Sequence, residues 1–359
     1  MLKFILKRIF YGFLVFLGVI TVVFLLFNVL PGDPARMMLG QRADSASVAA
    51  INRDLGRDKP LTEQYFGYLN DLSPISIHHL INDDSFWFLD KEKYSKTIKL
   101  FSIGERVVVL KSPYFRRSYQ TKQRVTDILF EAFPKTALLA TVSITIALVF
   151  GLVIGIFAAL YRDSIFDRVS LVFSVSGMAV PSFFAAILFA WIFAYLLADY
   201  THLSMFGSLY SVDNFGRGEY LDLKNLILPA VVLGIRPLAI VVELTRSSLL
   251  DVLSADYIRT AKAKGLSKTK VILKHALKNS LNPVITAISG WFASLMAGAV
   301  FVEFVFDWKG VGVAIVNALT KYDFPVVMGA VLFISIILVF INIIVDIIYA
   351  LLDPRIRLS

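Results

Sequence analysis

The residues best suited to a specific interaction lie in a basic segment, DYIRTAKAKGLSKTKVILKHALKNSL, which runs from Asp256 to Leu281. Between Arg246 and Ser280 the chain has eight basic residues and only two acidic ones, Asp251 and Asp256. The basic residues are Arg246, Arg259, Lys262, Lys264, Lys268, Lys270, Lys274 and Lys278. The segment lies between two long apolar runs, and a single glycine divides it into two helix-like parts. This pattern indicates that Asp256–Leu281 is a docking element, a segment that binds another protein, rather than a simple connection. Its charge places it on the cytoplasmic side of a membrane.

The spacing inside this segment predicts two short helices that are separated by Gly265. The glycine is expected to end the first helix as a C-cap, and Ser267 to begin the second helix, Lys268–Asn279. The apolar residues of each helix share one face, Tyr257, Ile258 and Ala261 in the first and Val271, Ile272 and Ala276 in the second. The alternative is an amphipathic helix on anionic lipid, which needs bulky apolar residues. Because Ala261, Ala263 and Gly265 are small, close contact with another protein is favoured.

Two charged residues lie inside the apolar run Leu226–Leu244. Arg236 is about ten residues into the run, which corresponds to a depth of ~15 Å and thus to the middle of a bilayer. Glu243 follows two helical turns later on the same face. A charge at this depth points to a protein interior or a water-filled path. We therefore name Arg236 and Glu243 as candidate path residues, with a structural tie between them or a partner across a subunit interface as the alternative. Asp346, near the cytoplasmic end of the last apolar run, is expected to be structural.

The composition and motifs argue against an enzyme. The chain has no cysteine, which excludes disulfides, thiolate metal sites, iron–sulfur clusters and cysteine nucleophiles. It contains neither the H-E-x-x-H nor the G-x-S-x-G motif, so an intramembrane protease is not expected. It also lacks the phosphate-binding G-x-x-x-x-G-K-[ST] loop, so any ATP-derived energy must come from a partner. The histidines His78, His79, His202 and His275 all fall in loops. We read His78 and His79, with Asp83 and Asp84, as a solvated loop rather than a metal site, and expect no cofactor.

The elements that position these residues are membrane spans. The chain of 359 residues is 57% hydrophobic and only 18% charged, and its mean hydropathy is +0.71, which excludes an ordinary soluble domain. A helix needs ~20 apolar residues to cross the hydrocarbon core. Six segments meet or approach that length: Ile9–Leu30, Thr136–Leu160, Val169–Leu197, Leu226–Leu244, Ile285–Val305 and Phe324–Leu352. The first is read as an uncleaved span. The predicted fold is an all-α polytopic membrane protein with six spans.

Basic residues beside the spans set the orientation, with both termini and the basic loop in the cytoplasm. The residues that indicate this are Lys3, Lys7, Arg8, Arg162, Arg168, Arg355 and Arg357, together with the loop itself. We therefore divide the chain into a first transmembrane helix (1–30), an external region (31–134) and a five-span core (135–359) that contains the cytoplasmic loop 246–280. The net charge of +9 reflects this membrane bias rather than a nucleic-acid partner.

The external region is too long to be a simple connection. Ala46–Leu55 and Pro60–Leu72 are predicted to be short helices, and Lys96–Leu110 to contain strands. We expect a small mixed domain there.

Small residues recur every four positions in two spans and predict close helix packing. They are Gly151, Gly155 and Ala159 in the second span, and Ser289, Ala293 and Ala297 beside Gly290, Ser294 and Gly298 in the fifth.

The stretch YIRTAKAKGLSKTKVILKHALKNSLNPVIT resembles the coupling loop of the dipeptide/oligopeptide permease family of ABC importers, which carries a version of the E-A-A-x-x-x-G signature. Arg259, Thr260 and Ala261 stand at the E-A-A places and Gly265 at the glycine. Further stretches resemble the family in order: LPGDP (Leu30–Pro34), KPLTEQYFGYL (Lys59–Leu69), Pro134–Ala140, AVPSFF (Ala179–Phe184), FVEFVFDWKGVG (Phe301–Gly312), YDFPVVMGAV (Tyr322–Val331) and the final VDIIYALLDPRIR. The chain departs from the family at Lys309, where proline is usual, and in Ser73–Leu100, which looks inserted.

The resemblance implies a six-span type I importer permease in the bacterial inner membrane, working without enzymatic activity of its own. Its implied partners are a second homologous permease, cytoplasmic ATP-binding subunits, an external substrate-binding protein and membrane lipid. The ATPase-coupling residues it implies are Tyr257, Arg259, Thr260, Ala261, Ala263, Gly265 and Leu266. The implied substrates are di- or oligopeptides. A nickel permease of the same fold and a secondary transporter, for which Arg236–Pro237 in mid-span is the one hint, stay as alternatives.

Overall fold

The computed structural model of the chain describes residues 2–28, 44, 46, 48–49, 52, 57–80, 87–90, 93–94, 97–213 and 218–352. The LPGDP motif, the pair Asp83 and Asp84 and the C-terminal arginines lie outside the described residues, as does most of the predicted helix Ala46–Leu55. The chain divides into two compact units. One unit comprises Met1–Glu131 and Ala314–Val339, and the other comprises Ala132–Val313 and Phe340–Ser359.

The elements follow one another in a mostly helical order. Up to the third helix they are α1 (Leu2–Asn28), α2 (Leu61–Leu72), β1 (Ile75–His79), β2 (Thr97–Ile103), β3 (Arg106–Lys111) and α3 (Val125–Leu160). Then come α4 (Ile165–Ala179), α5 (Ser182–Trp191, extended by a π-helical turn at Ile192–Leu196), α6 (Ala198–Thr201), β4 (Tyr210–Val212), β5 (Glu219–Leu221) and α7 (Lys224–Ser254). The last are α8 (Asp256–Ala263), α9 (residues 268–280, with a π-helical turn at Val271–Ala276), α10 (Asn282–Gly298), α11 (Val300–Phe306), α12 (Val311–Thr320) and α13 (Phe324–Leu352).

In the first unit, residues 61–118 form what we call the sheet domain. Its three antiparallel strands lie in the order β1-β3-β2. The predicted helix at 60–72 and the predicted strands at 96–110 are confirmed. Strand β1 was not predicted, and it lies inside the stretch that looks inserted. Its inward residues pack beneath the sheet because side chains alternate between the two faces of a strand, and Ser76 and His78 are buried whereas Ile75 and Ile77 are exposed.

Four helices are long and apolar enough to cross a membrane within the part of the chain that the structure describes. They are Leu6–Asn28, Val125–Leu160, Lys224–Ser254 and Phe324–Ile347, and the number rises to six if two bent helix pairs each count as one span. The bent pairs are Ile165–Ala179 with Ser182–Leu196, at 111°, and Asn282–Met296 with Val300–Phe306, at 56°. The described parts of the six predicted apolar segments are thus mostly helical, but the third and fifth are broken and bent.

The bend in the third segment has a local cause. Val180 is extended, with φ −73° and ψ 127°, and Pro181 stands at the N-cap of α5. A proline lacks the N–H that would continue the helix, and it disfavours the helical conformation of the residue before it. The apolar segment predicted at 169–197 is therefore helical on both sides of Val180 and Pro181 and bent between them.

In the second unit, α3 and α7 approach each other closely through the predicted glycines. A Cβ on Gly151 would lie 2.7 Å from Val241 Cγ1, and one on Gly155 would lie 2.8 Å from the carbonyl oxygen of Val242. These distances are too short for any side chain, so the small residues of the second span permit this backbone contact. Their predicted packing role is confirmed, and α7 is held against α3 along its length.

Candidate functional site

The basic segment folds into two helices joined at Gly265. Helix α8 covers Asp256–Ala263, and Gly265 then takes a left-handed backbone conformation with φ +76°. Its N–H donates to the carbonyl oxygen of Lys262 over 3.0 Å, so the glycine ends the helix as predicted. The Ser267 hydroxyl accepts a hydrogen bond from the N–H of Lys270 over 3.4 Å and caps the next helix. The caps that the sequence predicts are therefore confirmed.

The inner face of α8 is anchored in an apolar cluster. Ile258 and Ala261 are buried there against Leu249 of α7 and Ala159 of α3. Val271 and Ala276 of α9 complete the cluster, and Leu266 packs at its edge. Side chains at positions 258, 261 and 266 thus hold the docking element on the bundle. Ile258 and Ala261 are buried and so face the bundle, whereas Leu266 is half-buried at the edge of the cluster.

The outer face of α8 is exposed and basic. Arg259, Thr260 and Ala263 are exposed together with the lysines at 262 and 264. Tyr257 is 44% exposed, so it does not share the buried face with Ile258 and Ala261 as the pattern had predicted. Its hydroxyl accepts a hydrogen bond from Asn279 Nδ2 over 3.0 Å, which ties α8 to α9. The surface that can meet a partner, which we call the outer face, therefore consists of Tyr257, Arg259, Thr260, Lys262, Ala263, Lys264 and Gly265.

Gly265 is needed by the backbone and not by the packing of this chain. A Cβ built at this position would meet nothing within 4 Å. Its positive φ favours glycine, and the space beside it is open in this chain. The requirement that this chain places on position 265 is therefore conformational and not steric.

Arg246 belongs to α7 and not to the loop in which the sequence placed it, because α7 continues to Ser254. Its guanidinium donates two hydrogen bonds to the buried Asp167 carboxylate, from Nε to Oδ1 at 2.5 Å and from Nη2 to Oδ2 at 2.7 Å. The N–H of Asp163 donates to the same carboxylate over 3.0 Å. A bidentate pair of this kind fixes orientation as well as distance. It locks the first turn of α4 to α7 just above the cluster that holds α8.

A large cavity lies between α4, α5, α7 and α10, with a volume of about 640 Å³. Its walls are almost entirely apolar, and among the described lining residues Arg236 is the one charged group. The Nε atom of Arg236 is buried and has no hydrogen-bond partner. The predicted path residue therefore does face an interior space.

Glu243 does not join Arg236. It is exposed and does not line the cavity, and no ion pair links the two side chains among the residues that the structure describes. The structural tie between them is thus not formed in this chain. Nor do the described residues contain a group of three or more His, Asp or Glu that could hold a metal ion.

Glu303 is a buried carboxylate to which the sequence assigned no role. The hydroxyl of Thr136 donates to Glu303 Oε1 over 2.6 Å, and the N–H of Gly312 donates to Oε2 over 2.7 Å. Thr136 in turn accepts from the N–H of Val311 over 2.9 Å. A Cβ on Gly310 would lie 2.5 Å from Glu303 Oε2. We call Glu303, Thr136, Gly310, Val311 and Gly312 the Glu303 knot. The acid within the apolar run FVEFVF and the glycines of WKGVG are its only local signals in the sequence.

A second group of buried polar residues lies in the sheet domain. Asp71 Oδ1 accepts a hydrogen bond from the Tyr94 hydroxyl over 2.5 Å, and the Asp71 carbonyl accepts one from Lys111 Nζ. The ring of His78 lies 4.8 Å from that of Tyr94, and its Nε2 is 2.8 Å from Ser76 Oγ. These polar contacts lie beside a small buried apolar cluster in which Val107, Val109 and Leu89 pack against Tyr94.

The pKa values in this group are shifted towards the neutral forms. Burial lowers the pKa of His78 to about 4, and the nearby cation of Lys111 acts in the same direction. Burial lowers the pKa of Lys111 to about 8 against the attraction of Asp71. Burial also raises the pKa of the Tyr94 hydroxyl, with Asp71 adding to the effect. At neutral pH His78 is therefore an uncharged core residue, in keeping with a structural role.

Comparison with known families gives a match over most of the chain. The sequence profile of the family described as "Binding-protein-dependent transport system inner membrane component" matches residues 151–358. The profile described as "Binding-prot-dependent transport system membrane comp, N-term" matches residues 1–80. The first match contains the docking element, the cavity and Glu303 with its glycines, whereas Thr136 precedes it.

Several characterised relatives are similar to the chain over its full length. The di/tripeptide transport system permease protein DppB of Pseudomonas aeruginosa (strain UCBPP-PA14) is 34% identical over 373 residues, with 99% of each chain covered. The glutathione transport system permease protein GsiC of Salmonella choleraesuis (strain SC-B67) is 33% identical over 357 residues, with the same coverage. The dipeptide transport system permease protein DppB of Escherichia coli (strain K12) is 31% identical over 374 residues, again with 99% of each chain covered.

A solved structure shares the fold. The MetNI methionine ABC transporter, in an inward-facing conformation, has a chain that aligns with a TM-score of 0.50 at 17% identity. The alignment covers 63% of the present chain and 96% of the other.

Proposed function

The chain belongs to the family of binding-protein-dependent transport system inner membrane components, and from this we propose that it forms one half of the translocation path of an ATP-driven peptide importer. It is a multi-pass inner-membrane permease that contributes no catalytic step of its own. The observation that carries the coupling role is the outer face of α8, a basic and exposed surface that ends at a glycine with open space beside it.

The coupling partner is a cytoplasmic ATP-binding subunit. The outer face presents Arg259 and two lysines, with the one acid of the helix, Asp256, at its start. Such a surface fits a groove lined by acidic groups, because complementary charge steers association and fixes its register. Since Ile258 and Ala261 anchor the helix from within, a displacement of α8 by the ATPase is transmitted to α7 and α3.

Peptides are the substrates that we propose. Relatives that are named as di/tripeptide, dipeptide and glutathione permeases match the chain from end to end, and all three ligands are peptides or peptide-like. A second homologous permease completes the path, and an external substrate-binding protein delivers the ligand. The termini and α8 lie in the cytoplasm, in agreement with the basic residues beside the spans.

Site-directed crosslinking tests the coupling assignment cleanly, because the chain has no cysteine. A single cysteine is placed at Thr260 on the outer face, and a matched one at Lys224, which is exposed at the other end of α7. The complex is extracted in mild detergent, crosslinked and analysed by mass spectrometry. We expect an ATP-binding subunit to crosslink to the Thr260→Cys chain and not to the Lys224→Cys chain. Recovery of the chain without any ATPase would contradict the proposal and favour a secondary transporter.

A further inference from the structure

We propose that the cavity between α4, α5, α7 and α10 is a binding site for a small apolar ligand with a free carboxylate, which Arg236 recognises. The inference rests on the proposed function, and it names the chemical class of substrate that the path accepts: peptides whose carboxyl terminus is free. In this arrangement the guanidinium of Arg236 binds the carboxylate of the ligand, and the apolar walls of the cavity contact the side chains of the ligand.

The first observation is a half-buried arginine that lines an apolar cavity and has one buried nitrogen without a hydrogen-bond partner. Arg236 has a buried Nε without a hydrogen-bond partner, and the cavity contains no acidic lining residue among those described. A guanidinium in low-dielectric surroundings is costly unless an anion and hydrogen bonds compensate it. The site is therefore incomplete without a negatively charged group from outside the chain.

The second observation is that two buried acids of the same unit already have hydrogen-bond partners, and that the acid two turns along α7 lies outside the cavity lining. The Asp167 carboxylate accepts hydrogen bonds from Nε and Nη2 of Arg246. Glu303 is held by Thr136 and by the backbone at Gly312. Glu243 is exposed and lies outside the cavity lining. A rearrangement that supplied Asp167 or Glu303 to Arg236 would break a buried hydrogen-bonded group and leave its other members without partners.

The third observation is the size and polarity of the cavity. Its volume of about 640 Å³ falls within the range of ~300–1,000 Å³ that is typical of small-molecule sites. Phe173, Phe184 and Leu188 form apolar walls, whereas Ser176, Ser182 and Ser294 supply hydroxyl groups. Hydroxyl groups of this kind can hydrogen-bond a peptide unit. An apolar chamber with one cationic fork and a few hydroxyls selects a ligand with one carboxylate, apolar side chains and few other charges.

The same chemistry makes a prediction about the amino terminus. Because no acid lines the cavity among the described residues, a ligand ammonium group gains no ion pair there. Acylation of the amino group should therefore be tolerated, whereas amidation of the carboxyl group should not. The paired probes are N-acetyl-leucyl-leucine and its carboxamide, which differ only in the group that faces Arg236.

Binding is measured by equilibrium dialysis with the full-length chain in phosphatidylcholine nanodiscs. We expect the carboxylate probe to bind at least about tenfold more tightly than the amide, because a hydrogen bond to a charged group contributes roughly 1.5–3 kcal/mol. Arg236→Gln should remove this preference, and Arg236→Lys should keep a reduced one because the charge remains without the planar fork. Lys224→Gln, the same charge change at an exposed position of α7, should bind as the wild type does.

Three results would overturn the inference: no binding of the carboxylate probe by the wild-type chain, equal binding of acid and amide, or a retained preference in Arg236→Gln. The comparison of acid and amide on the wild type keeps the test decisive even if the Arg236 variants fail to fold. The titration is repeated on the complex that contains the second permease. Binding by the isolated chain but not by the complex would mean that Arg236 pairs with an acidic side chain of the second permease and not with a ligand. Failure of the proposed function would show separately, as the absence of an ATPase crosslink at position 260.

Discussion

Gly265 gives a direct test of the coupling surface, because its conformational and steric requirements can be separated. With φ +76°, a residue with a Cβ costs about 1–2 kcal/mol in the left-handed region, and asparagine costs less because its side chain is tolerated there. Space is not limiting within the chain, since a Cβ would meet nothing within 4 Å. Gly265→Ala is therefore expected to lower the population of the native turn about 5–30-fold, while Gly265→Asn leaves the turn nearly intact.

A docked ATPase changes this expectation. If the space beside Gly265 is filled by the partner, Gly265→Asn and Gly265→Asp should both stop uptake even though the chain inserts and folds. The assay is ATP-dependent uptake of a labelled dipeptide into proteoliposomes, with thermal unfolding of each variant in detergent measured in parallel. Gly104 provides the matched control, because it also has a positive φ, of +59°, and open space around its Cβ. Gly104→Asn should transport normally.

The two possible failures have different meanings. Uptake at the wild-type rate in Gly265→Asn, with loss in Gly265→Ala, would show that the glycine serves the backbone alone and that no partner occupies the space. Uptake at the wild-type rate in Gly265→Asp would refute the assignment of α8 as the coupling helix.

Three further predictions concern the buried polar groups. Replacing Arg246 with Gln should lower the free energy of unfolding by about 3–5 kcal/mol, because the Asp167 carboxylate stays buried without its partner. The double variant with Asp167→Asn should recover part of the lost stability in thermal unfolding. A loss of stability below about 1 kcal/mol in Arg246→Gln would contradict the role of the pair. Thr136→Val should cost about 1–3 kcal/mol because Glu303 loses a hydrogen bond in a buried site, whereas Thr136→Ser should stay close to the wild type; equal stability of the Val and Ser variants would refute the knot. The pKa of His78 in the folded chain, about 4, lies below its value in the unfolded chain. The contribution of neutral His78 to the free energy of unfolding is therefore fully present above pH ~6.5 and is lost as the pH falls towards 4, by up to about 3 kcal/mol. Amide exchange in the sheet domain of the full chain should accelerate over that pH range, and His78→Gln should remove the dependence.

The sequence predicts the docking element well because its signals are local. Gly265 and Ser267 end and begin helices through the geometry of neighbouring backbone groups, and such caps depend on few distant contacts. The close approach at Gly151 and Gly155 was also predictable, since a repeat of small residues every four positions marks one helix face. In each case the relevant information lies within about two helical turns.

The rest of the site depends on contacts that no local pattern reveals. Glu303 meets Thr136, 167 positions earlier in the chain, and nothing near either residue specifies that pairing. Arg246 was counted with the loop because it begins a run of basic residues, although its partner Asp167 lies 79 positions away. Pro181 was visible in the sequence, but the apolar run continues on both sides of it and so predicted one span. The direction of the chain after such a proline is set by tertiary packing, and here the bend reaches 111°.

Helix α7 joins the coupling surface to the cavity. It runs without interruption from Lys224 to Ser254, and Arg236 and Leu249 lie thirteen residues apart on it, or about 20 Å at 1.5 Å per residue. Pro229 and Pro237 both lie inside the helix and cannot donate a backbone hydrogen bond, and Pro237 is adjacent to Arg236. If a partner displaces α8, we expect the part of α7 that follows Pro237 to tilt about that position. The Asp167–Arg246 pair should then carry α4, which forms another wall of the cavity, with it. On this proposal the movement changes the cavity at Arg236, the one charged lining residue among those described, where a change in geometry has the largest effect on the affinity for an anion.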